Sequence, residues 1–169
     1  MLDRQRILSL FELLNSELAQ RDEKAEIGIV GGAVMCLVYQ ARAATRDVDA
    51  IFKPTNLVRD LVARIGERED LPPDWLNDAA KAYIQGDFVR QDVINLSHLR
   101  VWAPEPRYML AMKCLSARWD SSDRDDVIFL IQFLKLSSAQ DVFSILEHYY
   151  PKRQIPAKTQ FFIEELFEG

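Results

Sequence analysis

The feature that most constrains this chain is one short block. Ile27-Gly28-Ile29-Val30 is stopped by Gly31-Gly32, the unbroken apolar stretch Ala33 to Gln40 follows, and then comes Asp47-Val48-Asp49-Ala50-Ile51-Phe52. The first run is short, apolar and β-branched, which reads as a buried strand. Ala33 to Gln40 holds no Gly or Pro and reads as a helix packed directly after the glycines. Asp47 to Phe52 reads as a second strand.

Residues two apart on a strand share a face. Asp47 and Asp49 therefore project together, about 6.6 Å apart along the strand. Two carboxylates on a covered face repel each other and lose hydration. A divalent cation relieves both costs. Mg²⁺ takes oxygen ligands, often keeps only one or two protein carboxylates, and fills its shell with water and substrate phosphates. Gly31 and Gly32 allow a tight turn and let phosphates approach the backbone at a helix start, where free N–H groups favour anions. Taken singly, an Asp-x-Asp pair is ordinarily a solvated strand face and a Gly-Gly pair a turn. The combination in this order points to a site.

The rest of the chain supplies a frame for that block. Its 169 residues are one domain's worth. Ile7, Phe11, Leu14 and Leu18 give a helix over Leu2 to Gln20 its apolar face. Pro54 opens a helix with Val58, Leu61, Val62 and Ile65 inward, and Gly66 with Pro72-Pro73 ends it. Trp75 to Asp92 is ambiguous, although Trp75 to Ala80 fits a helical turn. Val93 to Ala103 holds one or two strands, with Leu99, Val101 and Ala103 alternating against Arg100 and Trp102. After Pro104 the chain is helical: Tyr108 to Leu115, a helix opened by Ser122-Asp123-Arg124-Asp125, another opened by Ser138-Ala139-Gln140-Asp141 and stopped by Pro151, and a last one from about Pro156 to Phe167. The expected fold is α/β (α+β): a small mixed sheet in a core over residues 1–103, and a helical C-terminal part over 104–169 packed on it as a single compact unit. Trp102 and Trp119 read as packing residues, and Pro151-Lys152-Arg153 as a solvated turn.

Charge and cysteine bound the setting. Lys plus Arg is 21 and Asp plus Glu is 26, a net charge of −5, which argues against a non-specific nucleic-acid coat. Cys36 and Cys114 sit in apolar stretches, as small hydrophobes of a reducing cytoplasm do. His98 and His148 are too far apart for zinc spacing. No run is long enough to cross a bilayer, and the start lacks a signal-peptide core.

Gly31-Gly32, fourteen residues, then Asp47-Val48-Asp49 resembles the signature of the DNA polymerase β-type nucleotidyltransferase superfamily. The fuller string, Ile29 to Ala33 and Ala44 to Asp49, is similar to a minimal bacterial branch related to the AbiEii-type toxins of toxin–antitoxin systems. Pro106 to Lys113 resembles that branch's lysine motif, and Asp123-Arg124-Asp125-Asp126-Val127 its later Arg-Asp-x-x-Asp-like motif. The resemblance implies transfer of a nucleoside monophosphate from a nucleoside triphosphate such as ATP to an acceptor hydroxyl on tRNA or protein, with a cognate antitoxin as partner. It implies that Asp47 and Asp49 bind Mg²⁺ or Mn²⁺, that Gly31, Gly32 and Lys113 hold the nucleotide, and that Asp123 or Asp126 completes the acidic set or orients Lys113. Arg42 and Arg46 flank the strand, and Arg46 joins the nucleotide-binding set. Superfamily members commonly place a third carboxylate on a later strand, and Leu99 to Ala103 has none. Asp126, Asp123 and Asp92 are the candidates to replace it, with Asp87 weaker. The alternatives are a degenerate scaffold that kept the fold without turnover, and an aminoglycoside-like small-molecule transferase, which the acidic net charge suits.

Lys113 also stands out physically. It lies among Met109, Leu110, Ala111, Met112, Cys114 and Leu115, so it needs either a partner or a route to solvent. Asp123 and Asp126 are neighbours on one helix face and equally suit an N-terminal cap.

Overall fold

The computed structural model describes residues 1–116, 121–151 and 153–168; Trp119 and Lys152 lie outside these. The described chain divides into two compact units, residues 1–82 with 90–104, and residues 83–89 with 105–169.

The first unit is built on β1 (Leu2–Asp3), α1 (Arg4–Gln20), β2 (Ala25–Val30), α2 (Gly32–Leu37), β3 (Ala44–Thr45), β4 (Val48–Lys53), α3 (Thr55–Arg68), β5 (Leu76–Asn77), β6 (Arg90–Asn95) and β7 (Leu99–Pro104). Among the described residues a mixed five-stranded sheet runs in the order β5-β4-β2-β7-β6, so the strand that ends in the glycines is central. β2 pairs antiparallel with β4 and parallel with β7. One sheet face is apolar: Ile27, Ile29, Ala50, Leu99 and Val101 are fully buried, as are Ile7, Leu10, Phe11, Leu14 and Leu18 of α1 and Val58 of α3. α1 contacts β7 and α3, and α3 contacts β4.

The other face is polar at one end. Lys53, Glu26, Arg100 and Asp92 form a row of alternating charge across four strands, at 3.3, 3.6 and 2.8 Å. Further along, Trp102 lies over Gly28. A side chain begun at Gly28 would stand 2.1 Å from the indole, so only glycine fits. The register puts Val30 opposite Asp49 on this same face.

Several expectations shift. Leu2 and Asp3 leave the first helix and pair with Thr45 and Ala44, while the Asp3 carboxylate caps α1 by accepting from Arg6 N. Gly66 does not end α3, which runs to Arg68. Gly66 is buried, and a Cβ there would be 2.8 Å from Pro72 O, so tertiary packing overrides its weak helix propensity. Trp75 to Ala80 is not a helical turn at first. Leu76–Asn77 pairs with β4, and a 3₁₀ turn spans Ala79–Tyr83. Trp75 itself is core, its indole N–H donating to Val62 O at 2.8 Å.

The second unit holds α4 (Pro106–Ser116), α5 (Ser121–Phe133), α6 (Ala139–Tyr149) and α7 (Ala157–Leu166). α4 packs against α5 and α6, and α6 against α7. Ser138 caps α6, its Oγ accepting from Asp141 N at 3.2 Å. Segment 83–89 joins this unit through Tyr108: Gln85 N donates to its hydroxyl at 2.9 Å, and Phe88 stacks on its ring at 4.1 Å between centroids. No helix among the described residues is long and apolar enough to cross a membrane.

Candidate active site

In the first unit the site assembles at the end of β2. Gly31 has φ +65° and ψ −144°, a backbone that side-chained residues rarely adopt. Its carbonyl accepts from Val34 N at 3.1 Å, which starts α2. A Cβ at Gly31 would stand 3.3 Å from Asp49 Oδ2. The Asp49 carboxylate thus faces the glycine turn, held there by the β2–β4 register. α2 has six residues. So short a helix adds little macrodipole, and attraction of an anion falls instead to charged side chains near the turn.

Asp47 differs from the period-two expectation. It lies one residue before β4, in a bend, so strand alternation does not govern where its carboxylate points. Two hydrogen bonds shape this approach: Thr45 Oγ1 donates to Asp47 O at 3.2 Å, and Val48 N donates to Trp75 O at 2.7 Å. Burial pushes the Asp47 carboxyl above its ordinary range, the negative charge of Asp74 pushes the same way, and Arg46 pulls it back. Asp74 directly follows Pro72-Pro73 and carries no local signal of a role at the site; β5 beside β4 brings this part of the chain near Asp47.

That shift has a sign in stability. A carboxyl raised above its unfolded value of about 3.9 binds its proton more tightly when folded. Its contribution favours folding below that pH and is lost as pH rises through the folded value. Asp47→Asn is therefore expected to raise the Tm at pH 7 in EDTA, with the gain vanishing below about pH 4. A melting series from pH 3 to 7 reads this. An unchanged or lower Tm at neutral pH would mean that the ionised carboxylate is already well satisfied.

The candidates for a third carboxylate separate. On the sheet face of Asp49, β7 presents Arg100 and Trp102. Asp92 accepts from Arg100 Nε and Nη2 at 2.9 and 2.8 Å, and this guanidinium holds its carboxyl below the usual range. Asp87 is exposed. Among the described residues no group of three or more His, Cys, Asp or Glu could together hold a metal ion. Asp47 and Asp49 thus offer two carboxylates. Two carboxylates would suit a hard cation that takes its remaining oxygens from water and phosphate, and not a self-contained structural metal.

In the second unit Lys113 is neither exposed nor alone. Its Nζ lies 2.8 Å from Asp123 Oδ1 and 2.7 Å from Asp126 Oδ2. Lys113 is 8% exposed and Asp126 3%. One ammonium is shared by two carboxylates, so the cluster is a buried ion triad, not a snorkelling lysine beside a helix cap. Cys114, next in the chain, is wholly buried, and its thiol is pushed up to about 12. It is not a nucleophile.

A mixed sheet flanked by helices, with a glycine turn at the end of its central strand facing a carboxylate of the adjacent strand, is the arrangement the nucleotidyltransferase resemblance implies. A family model described as "Nucleotidyltransferase of unknown function (DUF6036)" matches residues 5–150, and the chain belongs to that family. Neither the curated proteins nor the solved structures give a significant match.

Proposed function

We propose that this nucleotidyltransferase moves a nucleoside monophosphate from a nucleoside triphosphate to an acceptor hydroxyl. The acceptor oxygen bonds to the α-phosphorus, the bond to the bridging oxygen breaks, pyrophosphate leaves and the hydroxyl proton is released. The observation that carries this reading is the Asp49 carboxylate set 3.3 Å from where a Gly31 side chain would begin, with the half-buried Asp47 just before it. Glycines without side chains would let phosphate oxygens approach the backbone N–H groups of the turn.

Asp47 and Asp49 would hold Mg²⁺ or Mn²⁺. Such ions, when bound, offset phosphate charge and acidify the attacking oxygen. The chain's own part is placement: Gly31 and Gly32 admit the triphosphate, and Arg46 balances the charge at Asp47. The resemblance assigns phosphate contact to Lys113, which Asp123 and Asp126 fix in one position. It also extends the proposal to a cytoplasmic bacterial toxin with tRNA or protein as acceptor and an antitoxin as partner. The buried, unpaired cysteines suit that compartment. The absence of a carboxylate on the Asp49-facing side of β7 favours one other reading, a scaffold that binds nucleotide without turnover.

The test is transfer of label from each α-³²P nucleoside triphosphate, with Mg²⁺ or Mn²⁺, to pooled tRNA, cell protein or aminoglycosides. Labelling of one acceptor class with stoichiometric pyrophosphate is expected. Nucleotide binding with no labelled acceptor would replace the enzyme by the scaffold.

A further inference from the structure

Asp49 is fixed by the β2–β4 ladder, but Asp47 lies outside it, in the bend that ends the loop from α2. Whatever holds that loop therefore sets where the Asp47 carboxylate stands. Loops are mobile unless they are tied down, and this one is tied at both ends. Near its start Arg4 Nε donates to Leu37 O at 3.2 Å, Ala41 N donates to Met35 O at 2.9 Å, and Cys36 Sγ donates to Ala43 O at 3.6 Å. At its end Ala44 and Thr45 pair with Asp3 and Leu2. The first residues of the chain thus grip the loop twice, through Arg4 at one end and β1 at the other. Thr45 is where these ties meet the site. It is 5% exposed, and Leu2 opposite it 2%. Its hydroxyl donates to Asp47 O at 3.2 Å, and the same oxygen stands 2.8 Å from where a Gly32 side chain would begin. One buried hydroxyl therefore joins the glycine turn to the bend that carries Asp47.

We infer that Thr45, braced by β1, is a positioning residue: it sets Asp47 against Asp49, and so sets how tightly the two hold a divalent cation. The inference rests on the reading of Asp47 and Asp49 as cation ligands and adds to it the part of the chain that places the first of them. Thr45 acts through the main chain of Asp47, without touching the cation. Groups that orient a ligand in this way typically change metal affinity ten- to a hundredfold. Threonine suits the task, because its branched Cβ restricts χ1 and so fixes where the hydroxyl points.

Titration of the full chain with Mn²⁺ alone, read by loss of the free ion's paramagnetic resonance signal, tests this beside a thermal melt of each variant. Thr45→Val keeps the shape and removes the donor, and is expected to weaken Mn²⁺ binding at least about tenfold. Thr45→Ser keeps the donor and should bind Mn²⁺ close to wild type, although it loses a buried methyl and melts lower. A purely structural role gives a different pattern, in which both variants melt lower and both, while folded, bind Mn²⁺ as wild type does. Leu2→Ala loosens the strand paired with Thr45 and should weaken Mn²⁺ binding at temperatures where the variant is folded, by less than Thr45→Val. Should Thr45→Val not fold, Thr45→Ala, which also lacks the hydroxyl and needs less room, carries the same comparison with Thr45→Ser. Wild-type affinity in the folded variant without the hydroxyl, or an equal loss in Thr45→Ser, would overturn the role of Thr45. Wild-type affinity in Leu2→Ala would overturn the brace. Both results leave the cation reading standing as long as Asp47→Asn abolishes Mn²⁺ binding. A wild type that binds no Mn²⁺, or binds it equally well as Asp47→Asn, would overturn the inference and that reading together.

Discussion

Asp49→Asn is expected to lower nucleotidyl transfer at least about a thousandfold, a loss of some 4 kcal/mol of transition-state stabilisation. Asparagine keeps the shape that faces Gly31 at 3.3 Å. It removes the negative charge that a cation–triphosphate complex needs from the protein, and with two carboxylates in the set there is little to compensate. The fold should survive, because the β2–β4 ladder at Asp49 is made by backbone groups and Asp49 is only half-buried. Initial rates at saturating nucleotide, beside a thermal melt, separate the two effects. Transfer within tenfold of wild type, from a protein with an unchanged melt, would remove Asp49 from the site. Asp47→Asn should also lose activity while gaining stability, the combination expected of a charge kept for function at a cost to the fold.

The largest effect on stability is expected at Lys113. Replacing it by methionine removes the ammonium that lies 2.8 Å from Asp123 and 2.7 Å from Asp126, the latter buried. Removing one partner from a buried ion pair costs about 3–5 kcal/mol, and at this length each kcal/mol moves Tm by about 2–4 °C. The apolar neighbours, Met109, Leu110, Met112 and Cys114, accept the methionine itself, so the loss reads the removed ammonium and not poor packing. Asp126→Asn should cost much less. One carboxylate suffices for one ammonium, and Asp123 remains 2.8 Å from Nζ. The double variant Lys113→Met, Asp126→Leu should recover part of the loss, since it also removes the more deeply buried of the two carboxylates. If Lys113→Met melts like wild type, the triad is not a feature of the folded chain in solution.

Much of this molecule is written in local patterns, and the reason is that periodicity is a local property. The apolar run Ile27-Gly28-Ile29-Val30 marks a buried strand, and alternation in Leu99 to Ala103 marks another, because side chains on a strand repeat every two residues. Spacing of three and four in Ile7, Phe11, Leu14 and Leu18 gives the first helix its inward face, and Ser138 announces a helix start through its own side chain. The glycine turn and Asp49 were legible for the same reason: strand, turn and carboxylate follow one another within a single supersecondary unit.

Tertiary structure decided the rest, wherever a residue's role depends on a part of the chain that returns from elsewhere. Leu2–Asp3 becomes a strand only because Ala44–Thr45 comes back beside it. Leu76–Asn77 becomes one only along β4, and the charge of nearby Asp74 adds to the burial that raises the proton affinity of Asp47. Gly66 stays helical because Pro72 and Trp75 close over it. Gly28 is required by an indole more than seventy positions away in the chain, and a loop carries the Arg42 guanidinium back beside Gly32. Lys113 announced that it needed a partner, but Asp123 and Asp126 reach it only through the packing of α4 and α5. A run of residues specifies its period and its caps through its own backbone. Which distant groups it meets follows from the free energy of the whole fold, in which burial and pairing outweigh local preference.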